Sequence, residues 1–345
     1  MTEGYFLVKH RNLKHAFSLR SIPITPIPLG SARIRIEAFG LNFADVMARR
    51  GKYRDAPPFP FVPGYDIVGV VVEVNSPNDQ GWVGKRVAGF CRFGAYAQSV
   101  VTPLIALVEI GEMLAEDALS LCTAGVTASF MVGQVSELNR GKVALVHAAA
   151  GGVGSIILQL LAIKGIKTVA KVSTIEKARA LEGISPTWVL VSPKERYHKD
   201  LAAILDQQRI IASFNPTGGI SIKQDLQFLS NGGKLFLFGG SSLLNGRLGG
   251  LLSLLKFAKK SGFYSPIPFM MKSQTMVGVN MLKIAEDSPQ ELTYHLNECF
   301  SLYHQKKIVP LKAQTFHHTQ LVQAHELMES RKSTGKVVIL WDEKG

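Results

Sequence analysis

The stretch Lys142-Val-Ala-Leu-Val-His147 runs directly into Ala148-Ala-Ala-Gly151-Gly152-Val153-Gly154, and an amphipathic segment follows. No other part of the chain restricts the possible folds so strongly. Val153, Ile156, Ile157, Leu160 and Leu161 recur at i, i+3, i+4, i+7 and i+8, which places one apolar stripe on a helix. Strand, tight glycine turn and helix, in that order, open a βαβ unit. Gly151, Gly152 and Val153 form a turn whose backbone is able to approach a pyrophosphate, with the helix N-terminal N–H groups facing its charge. Gly154 lets the helix pack closely on the strand. A glycine turn that holds no ligand has a similar pattern; the strand before it and the helix after it favour dinucleotide binding.

Five more strand candidates alternate with helical stretches: Thr168–Val172, Trp188–Val191, Ile210–Phe214, Lys234–Phe238 and Met276–Val279. Six such strands predict a doubly wound parallel sheet with helices on both faces. The end of the second strand then selects the cofactor. An acidic residue there accepts from the ribose 2′-OH of NAD, but this chain reads Lys171-Val-Ser173-Thr174-Ile-Glu176-Lys177. Ser173 and Thr174 are able to donate to a 2′-phosphate and Lys177 supplies positive charge, so NADPH is the expected cofactor. Two features point the other way. Ser173 and Thr174 are also good helix caps, and Glu176 follows on the helix.

The first third carries short β candidates instead: Ile34–Ala38, Val68–Val74, Val83–Val87 and Ala95–Val101, as in a compact barrel or sandwich. Residues 284–345 hold helices near Pro289–Lys307 and Thr319–Ser330 and a strand at Val337–Trp341. A length of 345 residues suits two domains. The formal charge of +13 favours an anionic partner: a phosphorylated cofactor, nucleic acid or an acidic membrane surface. No basic-plus-aromatic motif supports nucleic acid. The leucine- and lysine-containing segment Leu251–Lys260 suits an interfacial membrane helix, or an ordinary helix over a ligand cleft.

Cys91, Cys122 and Cys299 lie far apart without a CxxC, which excludes a disulfide framework and a cysteine zinc cluster. The N-terminus has no continuous apolar run of the signal-peptide kind. The longest greasy stretch, Leu248–Ala258, is too short to span a bilayer core of ~30 Å. A cytoplasmic protein is expected. His147 reads as a packed core residue, and His317, His318 and His325 read as surface residues.

Six motifs occur in order: Asn42-Phe-Ala-Asp45, Gly51-Lys-Tyr53, Pro63-Gly-Tyr65-Asp66-Ile-Val-Gly69, Val83-Gly-Lys-Arg-Val87, Ala124-Gly-Val-Thr127-Ala128 and Ala149-Ala-Gly-Gly-Val-Gly154. Together they resemble the zinc-independent quinone oxidoreductase branch of the medium-chain dehydrogenase/reductase superfamily. Leu41–Gly51 is most similar to its vesicle amine transport protein-like subgroup. The resemblance implies a Rossmann domain (125–283) inserted into a GroES-like β-barrel domain made of 1–124 and 284–345. It also implies a homodimer paired through Met276–Val279.

Zinc-holding relatives use a Cys, a His-Glu pair after the Pro-Gly turn and a second Cys. The matching positions here are Asn42, Tyr65-Asp66 and Thr123, so no metal is expected. The resemblance places Asn42 and Thr127 beside the nicotinamide, with Asp45 supporting that wall. Ser173, Thr174 and Lys177 match the 2′-phosphate pocket, and Phe238-Gly239-Gly240-Ser241 flank the nicotinamide ribose. Gly278, Val279 and Asn280 line the carboxamide, and Arg331 matches a phosphate contact.

Ser192 stands where relatives often place a Tyr over the adenine end, so either Tyr197 substitutes or the pocket is looser. Asn215-Pro-Thr-Gly-Gly219 replaces the usual Asp-Pro-x-Gly-Gly. The implied activity is NADPH-dependent hydride transfer to a quinone or an α,β-unsaturated carbonyl compound. Tyr53 is the leading proton donor and Tyr65 the second. The alternative is an NADPH-binding protein of low turnover that acts through membrane or protein contacts.

Overall fold

Apolar and polar residues alternate through Ser31–Leu41, and this strand is the hub of a seven-stranded sheet. One edge pairs antiparallel with Asp66–Val74. The other pairs with Ser99–Pro103 along its first half and with Val337–Leu340 along its second. Register shifts at Arg33/Ile34 and Ile36/Ala38 mark bulges, which bend a strand and let it serve two partners. Arg86–Phe90 and Leu107–Glu109 extend the sheet on one side, and Gln314–His317 on the other. Ile34, Phe39, Ile67, Val71, Val87, Tyr96 and Trp341 form its core. The expected strand at Val83 starts three residues later, because Gly84 turns the chain at φ +85°.

This computed structural model describes residues 1–9, 12–192, 196–240, 259 and 261–341. The chain divides into two compact units, one of 1–126, 281–306 and 310–345 and the other of 127–280 with 307–309. The barrel unit therefore draws on both ends of the sequence. Apart from Lys259, the segment Leu251–Lys260 lies outside the described residues. Among the described residues no helix is long and apolar enough to cross a membrane.

The second unit is a six-stranded, all-parallel sheet. Its spatial order is Trp188–Val191, Lys167–Val172, Val143–His147, Ile210–Asn215, Leu229–Leu237, Thr275–Gly278. In sequence terms that is 3-2-1-4-5-6, the doubly wound Rossmann order, whose direction reverses beside the first strand. All six strands lie where the sequence pattern expects them, with ends shifted by a few residues. The core gathers Val143, Leu145, Val169, Leu190, Leu201, Ile210, Ile222 and Leu235.

Candidate functional site

Because the six strands are parallel, their C-terminal ends share one edge of the sheet. That edge is where ligands bind in open α/β sheets. The first strand ends at His147, and Ala148 turns the chain at φ +50°. Gly151 then caps the helix Gly152–Ile163. A Cβ on Gly154 would lie 2.5 Å from the Ala148 carbonyl oxygen and 2.8 Å from Ala149 Cα, so only glycine packs there. Gly151, Gly152 and Val153 stay partly exposed, and the first N–H groups of a helix have no partner within it.

At the end of the second strand Ser173 and Thr174 are exposed. Thr174 caps the short helix Ile175–Arg179 by accepting from Lys177 N–H at 3.4 Å. The Glu176 carboxylate is held below its ordinary pKa by its own backbone N–H and then by the Thr174 hydroxyl, so it is folded back into the cap. Phe238-Gly239-Gly240 follow the fifth strand. A Cβ on Gly239 would lie 2.8 Å from the Pro216 carbonyl oxygen, which marks close approach of two loops. Ser241 lies outside the described residues. Gly278 and Asn280 are exposed at the end of the sixth strand, and Val279 N–H donates to Leu237 at 2.8 Å. Thr127 is buried near the start of the helix Val126–Gly133.

Ser192 is buried and donates to Asp200 at 2.5 Å. Tyr197 is buried, the Lys171 ammonium sits 5.1 Å from its ring centroid, and its hydroxyl donates to Asp225 at 2.5 Å. Asp225 is the centre of a network that the sequence reading missed. It also accepts from Ser213 Oγ at 2.8 Å and Asn215 Nδ2 at 2.7 Å, and faces His147 Nε2 at 3.0 Å. This explains Asn215. An Asp there would set two carboxylates side by side, whereas Asn donates to Asp225 and to Ser221 while its oxygen accepts from Thr217 and Gly218 N–H.

The barrel unit holds the other candidates. Asn42 ends the hub strand and precedes the helix Phe43–Arg49, and its N–H donates to Asp45 Oδ2 at 2.8 Å. Asp45 is 1% exposed, and its other oxygen accepts no hydrogen bond of normal geometry. Burial therefore pushes the carboxyl up to about 7, against the pull of Asn42 N–H. Tyr53 is half-buried, and burial raises its pKa. Tyr65 lies under it, ring centroids 6.4 Å apart and nearly perpendicular. The Tyr65 hydroxyl is buried without a properly placed partner, and burial followed by Asp45 pushes its pKa far up. Tyr53 is thus the more reachable phenol.

Asn42 Nδ2 donates to Asp66 Oδ2 at 2.9 Å, and Lys336 Nζ reaches both Asn42 Oδ1 and Asp66. Lys336 has no place in the sequence reading. It stands between Gly335 and the wholly apolar run Val337–Leu340, a pattern that does not by itself mark a buried, paired lysine. Arg331 adopts φ +59° at the end of the helix Leu321–Ser330. His325 is fully buried and bonds Tyr96 Oη at 3.1 Å, which corrects its expected surface position. A cavity of about 650 Å³ in the same unit is lined by Ile22, Arg35, Val100 and Trp341, and by none of the candidate residues.

Two family models match the chain: the alcohol dehydrogenase GroES-like domain over residues 29–132, and the zinc-binding dehydrogenase over residues 195–339. The human synaptic vesicle membrane protein VAT-1 homolog is 27% identical over 92% of this chain and 80% of its own. A probable quinone oxidoreductase of Schizosaccharomyces pombe is 28% identical, covering 88% and 87%. The structure of Escherichia coli quinone oxidoreductase complexed with NADPH superimposes with a TM-score of 0.83 at 23% identity, covering 98% and 99%.

The zinc named in the second model does not fit the residues present. Among the described residues no group of three or more His, Cys, Asp or Glu could hold a metal ion. Asn42, Asp66 and Thr123 offer a single anionic donor, and the Lys336 ammonium already contacts Asp66 and Asn42.

Proposed function

Because this chain belongs to the medium-chain dehydrogenase/reductase superfamily, we propose that it is an NADPH-dependent oxidoreductase. Its proposed acceptor is a quinone or an α,β-unsaturated carbonyl compound. The observation that carries the reading is the 3-2-1-4-5-6 parallel sheet with the Gly151–Gly154 turn between its first strand and the next helix. NADPH, when bound, supplies the hydride. The chain's own part is to bind the pyrophosphate at the helix N-terminus, to read the 2′-phosphate and to deliver a proton.

Exposed Ser173 and partly exposed Lys177 suit a 2′-phosphate, while the Glu176 carboxylate folds back on its own backbone N–H and the Thr174 hydroxyl. NADPH is therefore expected to bind at least tenfold more tightly than NADH in parallel titrations followed by thermal shift. Equal affinities would remove these residues from the 2′-phosphate pocket, and binding of neither would remove the reductase reading.

Tyr53 is the proposed proton donor to the oxygen that gains charge as the hydride arrives. Tyr53→Phe is expected to lower kcat about 10²–10⁴-fold, the usual contribution of a general acid. An unchanged kcat rules Tyr53 out. A protein that holds NADPH but turns over no quinone or enone would instead be the low-turnover binder that the vesicle-protein similarity allows.

A homodimer is also proposed. Among the described residues Thr275–Gly278 pairs on one edge only, and Phe263, Ile267, Met270 and Met271, just before it in sequence, are 64–92% exposed. Light scattering is expected to give twice the 37.6 kDa chain mass. The monomer mass at micromolar concentration would rule the dimer out.

A further inference from the structure

Asp66 is fully buried and Lys336 is 3% exposed, and the two form an ion pair. The Lys336 ammonium also donates to Asn42 Oδ1 at 2.8 Å, and Asn42 Nδ2 donates to Asp66 Oδ2 at 2.9 Å. Thr123 approaches the other carboxylate oxygen with its hydroxyl and, at 3.3 Å, with its N–H. Both ends of the Asn42 amide and both oxygens of Asp66 are thereby engaged. The path of the lysine stem is built into the hub strand. A Cβ on Gly40 would lie 2.5 Å from Lys336 Cε and 2.9 Å from Asp66 Oδ2, so a side chain there would push the lysine end and the carboxylate from their present places. The family resemblance matches metal ligands to Asn42, the pair Tyr65-Asp66, and Thr123, and the ammonium contacts Asn42 and, within the pair, Asp66.

We propose that Lys336 is the resident cation of this cluster. Its ammonium takes the place that a metal ion has among the matching residues of zinc-holding relatives, and the chain takes up no zinc there. An ammonium only donates, so it fixes the Asn42 carboxamide with Oδ1 toward itself and Nδ2 toward Asp66. Lys336 is thus a positioning residue, acting on whatever meets Asn42 through the orientation of that amide. It also compensates the buried carboxylate, which would otherwise stand without a counter-charge. The proposal does not depend on the hydride-transfer reading.

The test uses the full chain. Wild-type protein incubated with excess Zn²⁺ and desalted is expected to carry no stoichiometric zinc in native mass spectrometry, and to melt at an unchanged temperature. Lys336→Ala, which leaves space for a guest, is expected to melt several degrees lower and to recover with n-propylammonium but not with n-propanol. Lys336→Met fills the space without charge and is expected to melt lower and respond to neither. One bound zinc per wild-type chain overturns the proposal and requires no variant to fold. An unchanged Lys336→Met midpoint also overturns it, as does recovery of Lys336→Ala by the alcohol as fully as by the amine.

Discussion

Asp225→Ala is expected to cost the Rossmann unit about 3–5 kcal/mol, because it strips several buried donors of their shared acceptor. The carboxylate is 0% exposed, and Tyr197, Ser213, Asn215 and His147 converge on it at 2.5–3.1 Å. Burial alone would push its pKa up, but the His147 imidazole and the other donors hold it below its ordinary value. That difference contributes stability above the ordinary carboxylate pKa, and the contribution is lost as pH falls below it. Alanine leaves the polar groups of four residues facing a space with no acceptor, and each unmet group costs about 1–3 kcal/mol. The urea midpoint is expected to fall with an unchanged m-value. Asp225→Asn keeps one acceptor oxygen and is expected to lose less. A midpoint within error of wild type for the alanine variant would show that the network contributes no stability.

The second large effect is a pH slope that two residues hide from each other. Asp45, buried and faced by Asp66, Lys336, Tyr53, Tyr65, Tyr96 and Cys91, is pushed from 3.8 up to about 7. Between those values the folded state binds more protons than the unfolded chain, so stability falls as pH rises. At 1.36 kcal/mol per pKa unit the loss is on the order of 4 kcal/mol. His325 does the reverse: burial, then the Arg49 charge, lowers it from 6.5 to about 3. The unfolded chain binds more protons in that window, so stability rises with pH by a similar amount.

From about pH 4 to 6.5 the two slopes oppose, and the wild-type profile is expected to be nearly flat. Asp45→Asn keeps an acceptor for Asn42 N–H and is expected to unmask the rising His325 slope. At pH 8 it is expected to be more stable than wild type. Chemical denaturation from pH 4.5 to 8 measures both effects, and parallel profiles for the two proteins would show that Asp45 is ionised throughout.

These two groups also mark the limit of what the sequence discloses. Every Rossmann strand was legible because alternation and apolar runs are local, and the glycine turn because Gly154 has only one sterically open role. The cofactor edge followed, since parallel strands bring their ends together. Lys336 was not legible: its partners Asn42 and Asp66 are 294 and 270 residues away. Nothing in the local pattern separates a paired, buried lysine from a solvated one. His325 was misplaced for the same reason, because its burial depends on Tyr96, 229 residues distant. Asn215 looked like an unexplained departure until the structure supplied Asp225, ten residues on, as its complement.

The pairing of Val337–Leu340 with Ala38–Leu41 has a consequence for how the molecule is made. On a ribosome adding roughly 5–20 residues per second, the 294 residues between Asn42 and Lys336 take about 15–60 s to appear. Throughout that interval half of one edge of the hub strand stands unpaired, and Asp66 waits for its counter-charge. The Rossmann unit, whose strands all lie between Val143 and Gly278, is able to finish folding well before that interval ends. The nascent barrel is therefore the part of this protein that stays open longest.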